Sequence, residues 1–131
     1  MVLLEYGGVF LAGGLSYGAL ELLWRGHTHW TMLLCGGVCA ELMCLTAGSR
    51  KTMLPRRWTL CAAEVTTVEY LTGLLVNLRL GWNVWDYSAR PLNVLGQICP
   101  EYTLLWFLLS IPGVWLGRQI HDVFGRLRAA R

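Results

Sequence analysis

Residues 30–47 read WTMLLCGGVCAELMCLTA, eighteen residues of which only Glu41 is charged. The hydrocarbon core of a bilayer is crossed by a helix of about 20 mostly apolar residues. Backbone N–H and C=O groups find no partners in lipid, so an apolar run of this length must satisfy them internally as a helix. This stretch therefore predicts a membrane-spanning helix.

Three other stretches have the same character. Together with residues 30–47, they give four predicted spans, at residues 2–24, 30–47, 58–78 and 102–116. We therefore predict an all-α integral membrane bundle of about four transmembrane helices, with residues 1–131 forming a single transmembrane domain. After the last span, residues 118–131 combine basic side chains with apolar ones at helical spacing. This pattern predicts an amphipathic basic tail that lies along the membrane surface.

The composition agrees with a membrane protein and excludes several other classes. Hydrophobic residue types make up 55% of the chain and charged types 15%, against about 25% charged residues in soluble domains. A net charge of +3 is too small to indicate a nucleic-acid binder. There is no phosphate-binding loop and no H-E-x-x-H motif, and no predicted span contains a His that could pair with a Ser or Cys inside the membrane. We therefore expect no ATPase and no enzyme.

No metal or cofactor is expected either. His27 and His29 form an H-x-H pair without a third ligand in the sequence nearby. The five cysteines match no zinc-binding spacing, and four of them lie inside apolar runs, where cysteine packs as a small hydrophobic residue.

The distribution of Lys and Arg predicts the orientation. The loop between the second and third spans and the C-terminal tail together hold eight basic residues, whereas the other two loops hold three. Because cytoplasmic loops carry the excess of Lys and Arg, both termini are predicted to be cytoplasmic. Trp24, Trp30, Trp82 and Trp85 then fall at the outer interface.

The first span carries a face of small residues. Gly7, Gly14 and Gly18 share this face, and the last two form a G-x-x-x-G motif that lets helices approach closely in lipid. Glu21 and Arg25 continue the same face at the spacing of an ion pair. We predict helix packing through the glycines. The ion pair either stabilises the end of that contact or provides a binding carboxylate.

Carboxylates also occur inside the second and third spans, at Glu41, Glu64 and Glu69. An ionisable group in the bilayer costs about 2.5 kcal/mol or more, so it usually faces the bundle interior or a water-filled cavity. One interpretation is cation binding or a proton relay at Glu64 and Glu69. The other is that neutral carboxyl groups bond to polar groups between the helices.

The connection before the last span is neither a polar loop nor a helix. Between Gly81 and Cys99 it alternates aromatic, apolar and small polar residues and is broken by Pro91 and Gly96. We predict an interfacial or re-entrant outer segment, with Asp86, Asn93 and Gln97 as candidate residues of an entrance or gate. The alternative is an aromatic belt that holds the segment among the lipid headgroups.

This segment also carries a family resemblance. The runs Val84-Trp85-Asp86-Tyr87-Ser88, Pro91-Leu92-Asn93 and Gly96-Gln97-Ile98-Cys99, with Glu69-Tyr70-Leu71-Thr72-Gly73, resemble the family named "putative ABC-transporter type IV" or "putative ABC transporter permease". The resemblance implies a small multi-pass protein of the bacterial cytoplasmic (inner) membrane with a role in transport. It also implies that a shared set forms a structural or binding element: Glu69, Trp85, Asp86, Asn93, Gly96 and Gln97.

We therefore expect a small permease-like or channel-like subunit for a cation or small solute. Four helices of this length enclose little space, so a homo-oligomer, a membrane partner subunit or a separate ATPase would complete the path. The alternative is a non-transporting accessory protein that binds a larger membrane partner.

Overall fold

The computed structural model describes residues 2–49 and 51–131, and in this part of the chain the fold is entirely helical without strands. Arg50, one of the basic residues assigned to the second loop, lies outside the described residues. The helices are α1 (Val2–Arg25), α2 (Trp30–Gly48), α3 (Leu54–Gly73) and α4 (Pro100–Ala129). The predicted all-α class is confirmed.

Among the residues that the structure describes, two segments satisfy the length and composition of a membrane-spanning helix. They are Trp30–Gly48, with a mean hydropathy of 1.6, and Leu54–Arg79, with a mean hydropathy of 1.2. α1 and α4 are not among them. Five glycines and two glutamates lower the hydropathy of α1, and charged residues occupy the C-terminal third of α4.

α1 and α2 form a closely packed antiparallel hairpin. A Cβ atom on Gly14 would lie 2.6 Å from the backbone oxygen of Leu33 in α2, and one on Gly18 would collide with the Leu33 side chain. Gly36 in α2 faces Tyr17 in return. Small residues therefore bring the two backbones together, because helix association in lipid depends on close packing.

The glycine face of α1 is thus occupied by α2 of the same chain. From the sequence, this face is also the candidate for a contact with a second molecule. At Gly14 and Gly18 it is not free for such a contact, because no second molecule could approach them without displacing α2. Gly7 takes no part in this contact: it is exposed, and a Cβ atom there would meet nothing within 4 Å.

Small side chains also fill the contacts among α2, α3 and α4. Ala47, Cys61 and Val114 form one buried cluster, and a Cβ atom on Gly117 would lie 2.9 Å from the Cβ of Ala47. All five cysteines are buried and none forms a disulfide. The cysteines act here as small packing residues.

α3 ends in a π-helical turn, Leu74–Arg79. The amide of Leu80 donates to the oxygen of Leu75, and that of Trp82 donates to the oxygen of Val76. This widened turn leads into an irregular segment, residues 80–99, in which the non-glycine residues Asn83, Leu92 and Leu95 have positive φ. π-helical turns of this kind occur frequently at functional sites.

The structure does not separate the predicted last span, 102–116, from the predicted surface tail, 118–131. α4 is one continuous helix that passes through Pro112 and ends at Ala129. Packing against α2 and α3 holds α4 next to this proline: a Cβ atom on Gly113 would meet Met43 of α2, and Val114 packs with Ala47 and Cys61. The end of α4 returns to the start of α1, where Arg128 forms an ion pair with the buried Glu5. This ion pair explains why the end of α4 packs against α1.

We predict that Gly14→Ala lowers the free energy of unfolding by about 1–3 kcal/mol, because the added methyl group meets the backbone of α2. Gly7→Ala is the matched control. It adds the same methyl group to an open position of the same helix and should stabilise the protein by up to about 1 kcal/mol through helix propensity. Thermal unfolding in detergent measures both. Equal effects of the two substitutions would contradict the described packing of α1 on α2.

Candidate functional site

A cavity of about 180 Å³ lies at the end of the bundle where α1 ends and α2 begins. α1, α2, α4 and the segment 80–99 all contribute to its walls. Most of the wall is apolar or aromatic, and the aromatic residues are Tyr17, Trp24, Trp85, Tyr87, Tyr102 and Trp106. Apolar clefts with a few polar groups are the usual form of small-molecule sites.

Glu69 of α3 lies directly behind two of these aromatic residues and is only 2% exposed. The Tyr87 hydroxyl donates to Oε1 of Glu69 at 2.8 Å, and the indole N–H of Trp106 donates to Oε2 at 3.2 Å. Both carboxylate oxygens therefore have a donor. One comes from the irregular segment and one from α4, so Glu69 joins three parts of the chain.

The two donors are themselves held by ring stacking. Tyr87 stacks on Tyr102 with ring centroids 4.6 Å apart and planes 9° apart, and Trp106 stacks on Tyr17 at 5.6 Å. On the outer side of Tyr102, the guanidinium of Arg90 lies 5.6 Å from the ring centre. Stacked rings and a cation over a ring are favourable arrangements, so the wall of the cavity is preorganised.

The segment 80–99 is fastened to α3 by hydrogen bonds around Gln97. Nδ2 of Asn77 donates to Oε1 of Gln97 at 2.8 Å, and the indole N–H of Trp85 donates to the backbone oxygen of Gln97 at 3.0 Å. Gly73 makes this possible, because a Cβ atom there would collide with the Gln97 side chain and lie 3.0 Å from the Trp85 ring. Gln97, 3% exposed, thus holds the segment in position.

Asp86 and Asn93 stabilise turns on the exposed side of this segment. Asp86 accepts hydrogen bonds from the hydroxyl and the amide of Ser88, and these two donors lower the pKa of its exposed carboxyl group. Nδ2 of Asn93 donates to the backbone oxygens of Ser88 and Arg90, and its Oδ1 accepts from the amide of Gly96 at 2.9 Å. Neither residue is part of the cavity wall.

Glu21 and Arg25 both line the cavity and form an ion pair with each other. Glu21 is 8% exposed, and Oε2 accepts from Arg25. Its other oxygen, Oε1, is buried without a hydrogen-bond partner among the described residues. A buried acceptor without a partner costs about 1–3 kcal/mol, so this atom is a marker of a missing ligand or water.

The other predicted carboxylates lie elsewhere. Glu64 accepts a hydrogen bond from Thr46 at 2.7 Å, between α2 and α3, and is not part of the cavity wall. Glu41 is half-buried on α2, also away from the cavity. Five residues along α3 turn Glu64 and Glu69 to different faces, so the structure does not bring them into one site.

Sequence reasoning missed the aromatic partners of Glu69. Tyr17, Tyr102 and Trp106 are aromatic residues in apolar runs, and such residues in a membrane protein are expected at the lipid interface. Tyr87 appeared only within the quoted family motif. Its pKa is raised by burial and by the neighbouring Glu69 carboxylate, so the phenol stays protonated and available as a donor at neutral pH.

A second cluster, also missed, lies at the opposite end of the bundle. Glu5 of α1 is 6% exposed and contacts both Arg128 and His121 of α4, the latter at 3.8 Å. A pocket beside it is lined by Arg118, His121 and Arg126. His121 was assigned to a surface tail, which gave no signal that it would meet α1.

Neither histidine of the H-x-H pair is placed for metal binding. Nδ1 of His29 lies 2.7 Å from the Thr31 hydroxyl and accepts from the Thr31 amide, so it caps α2. Within residues 2–49 and 51–131, no group of three or more His, Cys, Asp and Glu side chains is placed to hold a metal ion.

Comparison with known families identifies the chain. The sequence model of the family described as "Putative ABC-transporter type IV" matches residues 8–128, so the chain belongs to this family. The resemblance carried by Glu69 and the segment around Trp85 is thereby confirmed. No curated protein and no solved structure matches the chain.

We predict that Tyr87→Phe lowers the free energy of unfolding by about 1–3 kcal/mol, because Oε1 of the buried Glu69 loses its donor. Tyr102→Phe is the control: it keeps the stacked ring and removes a hydroxyl that does not contact Glu69. Denaturation in detergent at neutral pH measures the difference.

The same comparison has an expected pH dependence. Because folding raises the pKa of Tyr87, its protonated hydroxyl stabilises the fold to the full extent below the pKa of an unfolded tyrosine, which is near 10. This contribution to stability is lost as the pH rises further. The difference between wild type and Tyr87→Phe should therefore narrow above about pH 10. A difference that grows with pH would contradict the hydrogen bond to Glu69.

Proposed function

We propose that this family member is a small permease-like or channel-like transport subunit, with the cavity in front of Glu69 as its site for a cation or small solute. The observation that carries the proposal is a carboxylate, 2% exposed, held by Tyr87 and Trp106 at the wall of a cavity between the helices. Ionisable groups kept at such cost inside membrane helices mark ion and substrate paths.

A four-span topology is part of this proposal. At 1.5 Å per residue, the 24 residues of α1 and the 30 residues of α4 are about 36 and 45 Å long, enough to cross a hydrocarbon core of about 30 Å. Large apolar side chains also point outward from all four helices, including Leu11, Leu34, Leu71 and Leu108. An outer surface of large apolar side chains is suited to contact with lipid.

We further propose that both termini are cytoplasmic, in the bacterial inner membrane. The ion pair between Glu5 and Arg128 supports a common side, because it joins the start of α1 to the end of α4. The excess of basic residues at this end of the bundle supports the cytoplasmic assignment. At the other end, His29, Trp30 and Trp82 form an aromatic cluster that suits the outer headgroup region.

A complete path across the membrane would require a homo-oligomer or a partner subunit, which includes a separate ATPase. The cavity lies at one end of the bundle, whereas the centre is filled by Cys35, Cys39 and Val65 with Met43 packed against them. The exposed side of α1 around Gly7 is the small-residue surface that remains for such a contact.

We do not propose an enzyme. α4 brings His121 within 3.7 Å of the Cys44 thiol, contrary to the expectation that no such pair exists. The same nitrogen, Nε2, lies 2.8 Å from the backbone oxygen of Cys44 and is therefore the donor to it. A nitrogen that donates its proton in this way cannot also accept one from the thiol.

A G-x-S-x-G pattern at residues 14–18 also gives no support to an enzyme. Ser16 lies in the middle of α1. The motif functions at a strand-to-helix turn, which lifts the serine out of the backbone.

Glu69→Gln should reduce cation or solute flux at least about tenfold. The substitution removes the charge directly behind the cavity wall and replaces one of the two acceptor oxygens with an amide nitrogen. Flux is measured with the protein reconstituted in liposomes. Glu64→Gln is the matched control on the same helix and should leave flux within about twofold, because Glu64 bonds to Thr46 between α2 and α3 and not to a residue of the cavity wall. Equal flux in wild type and Glu69→Gln would contradict a transport role for this site. Co-purification with a larger membrane protein would then favour an accessory role.

The topology is tested by reporter fusions in bacterial cells. A fluorescent protein fused after Arg131 should be fluorescent, because it folds in the cytoplasm. Alkaline phosphatase inserted at Ala89, in the exposed part of the segment 80–99, should be active, because it requires the outer side. The reverse pattern would contradict the proposed orientation.

A further inference from the structure

We infer that the cavity binds a singly charged organic ammonium ion. This inference rests on the proposed transport function and specifies its substrate class. The aromatic residues around the cavity belong to three parts of the chain: Tyr17 and Trp24 to α1, Trp85 and Tyr87 to the segment 80–99, and Tyr102 and Trp106 to α4. The ring of Tyr102 already lies between Tyr87 and Arg90, so the other rings provide the faces for a ligand. Aromatic walls on several sides of one cavity are the arrangement that recognises quaternary and other alkylated ammonium groups, through attraction between the cation and the ring faces.

The charges of the site favour a single positive charge on the ligand. Arg25 pairs with Glu21 and balances it, whereas Glu69 bonds only to the neutral donors of Tyr87 and Trp106. An ionised Glu69 thus leaves one negative charge behind the aromatic wall. Its hydrogen bonds polarise the Tyr87 and Trp106 rings, which increases the attraction of their faces for a cation.

Glu21 provides an independent indication of a ligand. Its Oε1 is buried, has no hydrogen-bond partner among the described residues, and belongs to a side chain of the cavity wall. An ammonium N–H, or the hydroxyl group of a ligand such as choline, would donate to this oxygen without displacing Arg25 from Oε2.

A metal ion fits this cavity less well. Mg²⁺ and Ca²⁺ require about six or more oxygen ligands at short distance. Glu21 provides a carboxylate to the cavity wall, whereas Leu20, Met32, Leu105 and Leu109 offer no oxygen from their side chains. An alkylated ammonium ion gives up less hydration and gains contact with the same apolar side chains. The low oxygen content of the wall therefore favours an organic cation.

The size of the cavity limits the ligand. Its volume of about 180 Å³ is slightly larger than the roughly 150 Å³ cavity that holds one benzene molecule. An ammonium head with a short substituent fits this space, as in choline. A polycation or a large multi-ring cation does not.

Binding of choline to the purified full chain in detergent tests the inference, with titration calorimetry as the measurement. The comparison ligand is the uncharged isostere of choline, in which carbon replaces the nitrogen. We expect choline to bind at least about tenfold more tightly than the isostere, because only the charged ligand is attracted to the ring faces. Equal affinities, or no detectable binding of choline, would overturn the inference.

Two variants locate the binding. Trp106→Leu should weaken choline binding at least about tenfold, whereas Trp115→Leu, on the same helix but 63% exposed, should leave it unchanged. If Trp106→Leu does not fold, Glu21→Gln replaces it. That variant keeps the size of the side chain, and it should also weaken binding, because it removes a carboxylate from the wall. Unchanged binding in the cavity variant that folds would overturn the assignment to this cavity.

Flux measurements separate this inference from the proposed function. Choline binding that depends on Trp106 but is not followed by choline flux in liposomes would leave the site in place and contradict transport. Flux of inorganic cations that depends on Glu69, without choline binding, would support transport and overturn the organic ammonium ion as its substrate.

Discussion

The buried carboxylate of Glu69 is the interaction on which the site depends. Its two oxygens accept from Tyr87 and Trp106, which lie 18 and 37 residues further along the chain. A carboxylate this deep is costly unless its hydrogen bonds are made, so it fixes both donors in place. The rings of Tyr87 and Trp106 then orient Tyr102 and Tyr17 by stacking, and four aromatic side chains are positioned through one acidic group.

Close helix packing provides the frame for this arrangement. Gly14 and Gly18 seat α1 against Leu33 of α2, which brings Tyr17 and Glu21 to the cavity. Gly73 has the corresponding role on α3, where it admits Gln97 and Trp85 beneath the irregular segment. In both places the absence of a side chain lets a group from another part of the chain approach a helix backbone. The site is therefore built as much from glycines as from the groups that contact a ligand.

The two ends of the bundle differ in chemistry. At one end, stacked aromatic rings surround a cavity with two carboxylates nearby. At the other end, Arg128 and His121 gather around the buried Glu5 and close α4 onto α1. The Glu5 cluster holds the termini together, which leaves the opposite end of α1 to form part of the cavity wall. This contact joins residues more than a hundred positions apart in sequence and holds the end of α4 against the start of α1.

The sequence by itself determined the helices and several of their contacts. Predicted spans 2–24 and 30–47 differ by one residue from Val2–Arg25 and Trp30–Gly48, because a long apolar run directly encodes a helix. The G-x-x-x-G face and the Glu21–Arg25 pair were also evident, since both are local patterns on one helix. Glu69 was a candidate because it lies inside a predicted span and because the family resemblance includes it.

The tertiary structure alone decided which groups meet. The segment that contains Asp86, Asn93 and Gln97 was evident as unusual, but its polar side chains turned out to hold turns and fasten the segment rather than line the cavity. The aromatic wall could not be read from the chain, because Tyr17, Tyr87 and Trp106 are far apart in sequence and each resembles an interface aromatic. The course of α4 beyond Pro112 was likewise set by partners on other helices, Met43, Cys44 and Ala47 of α2 and Glu5 of α1. In each case the deciding partner lies on another helix, and only the packing of the bundle brings the two together.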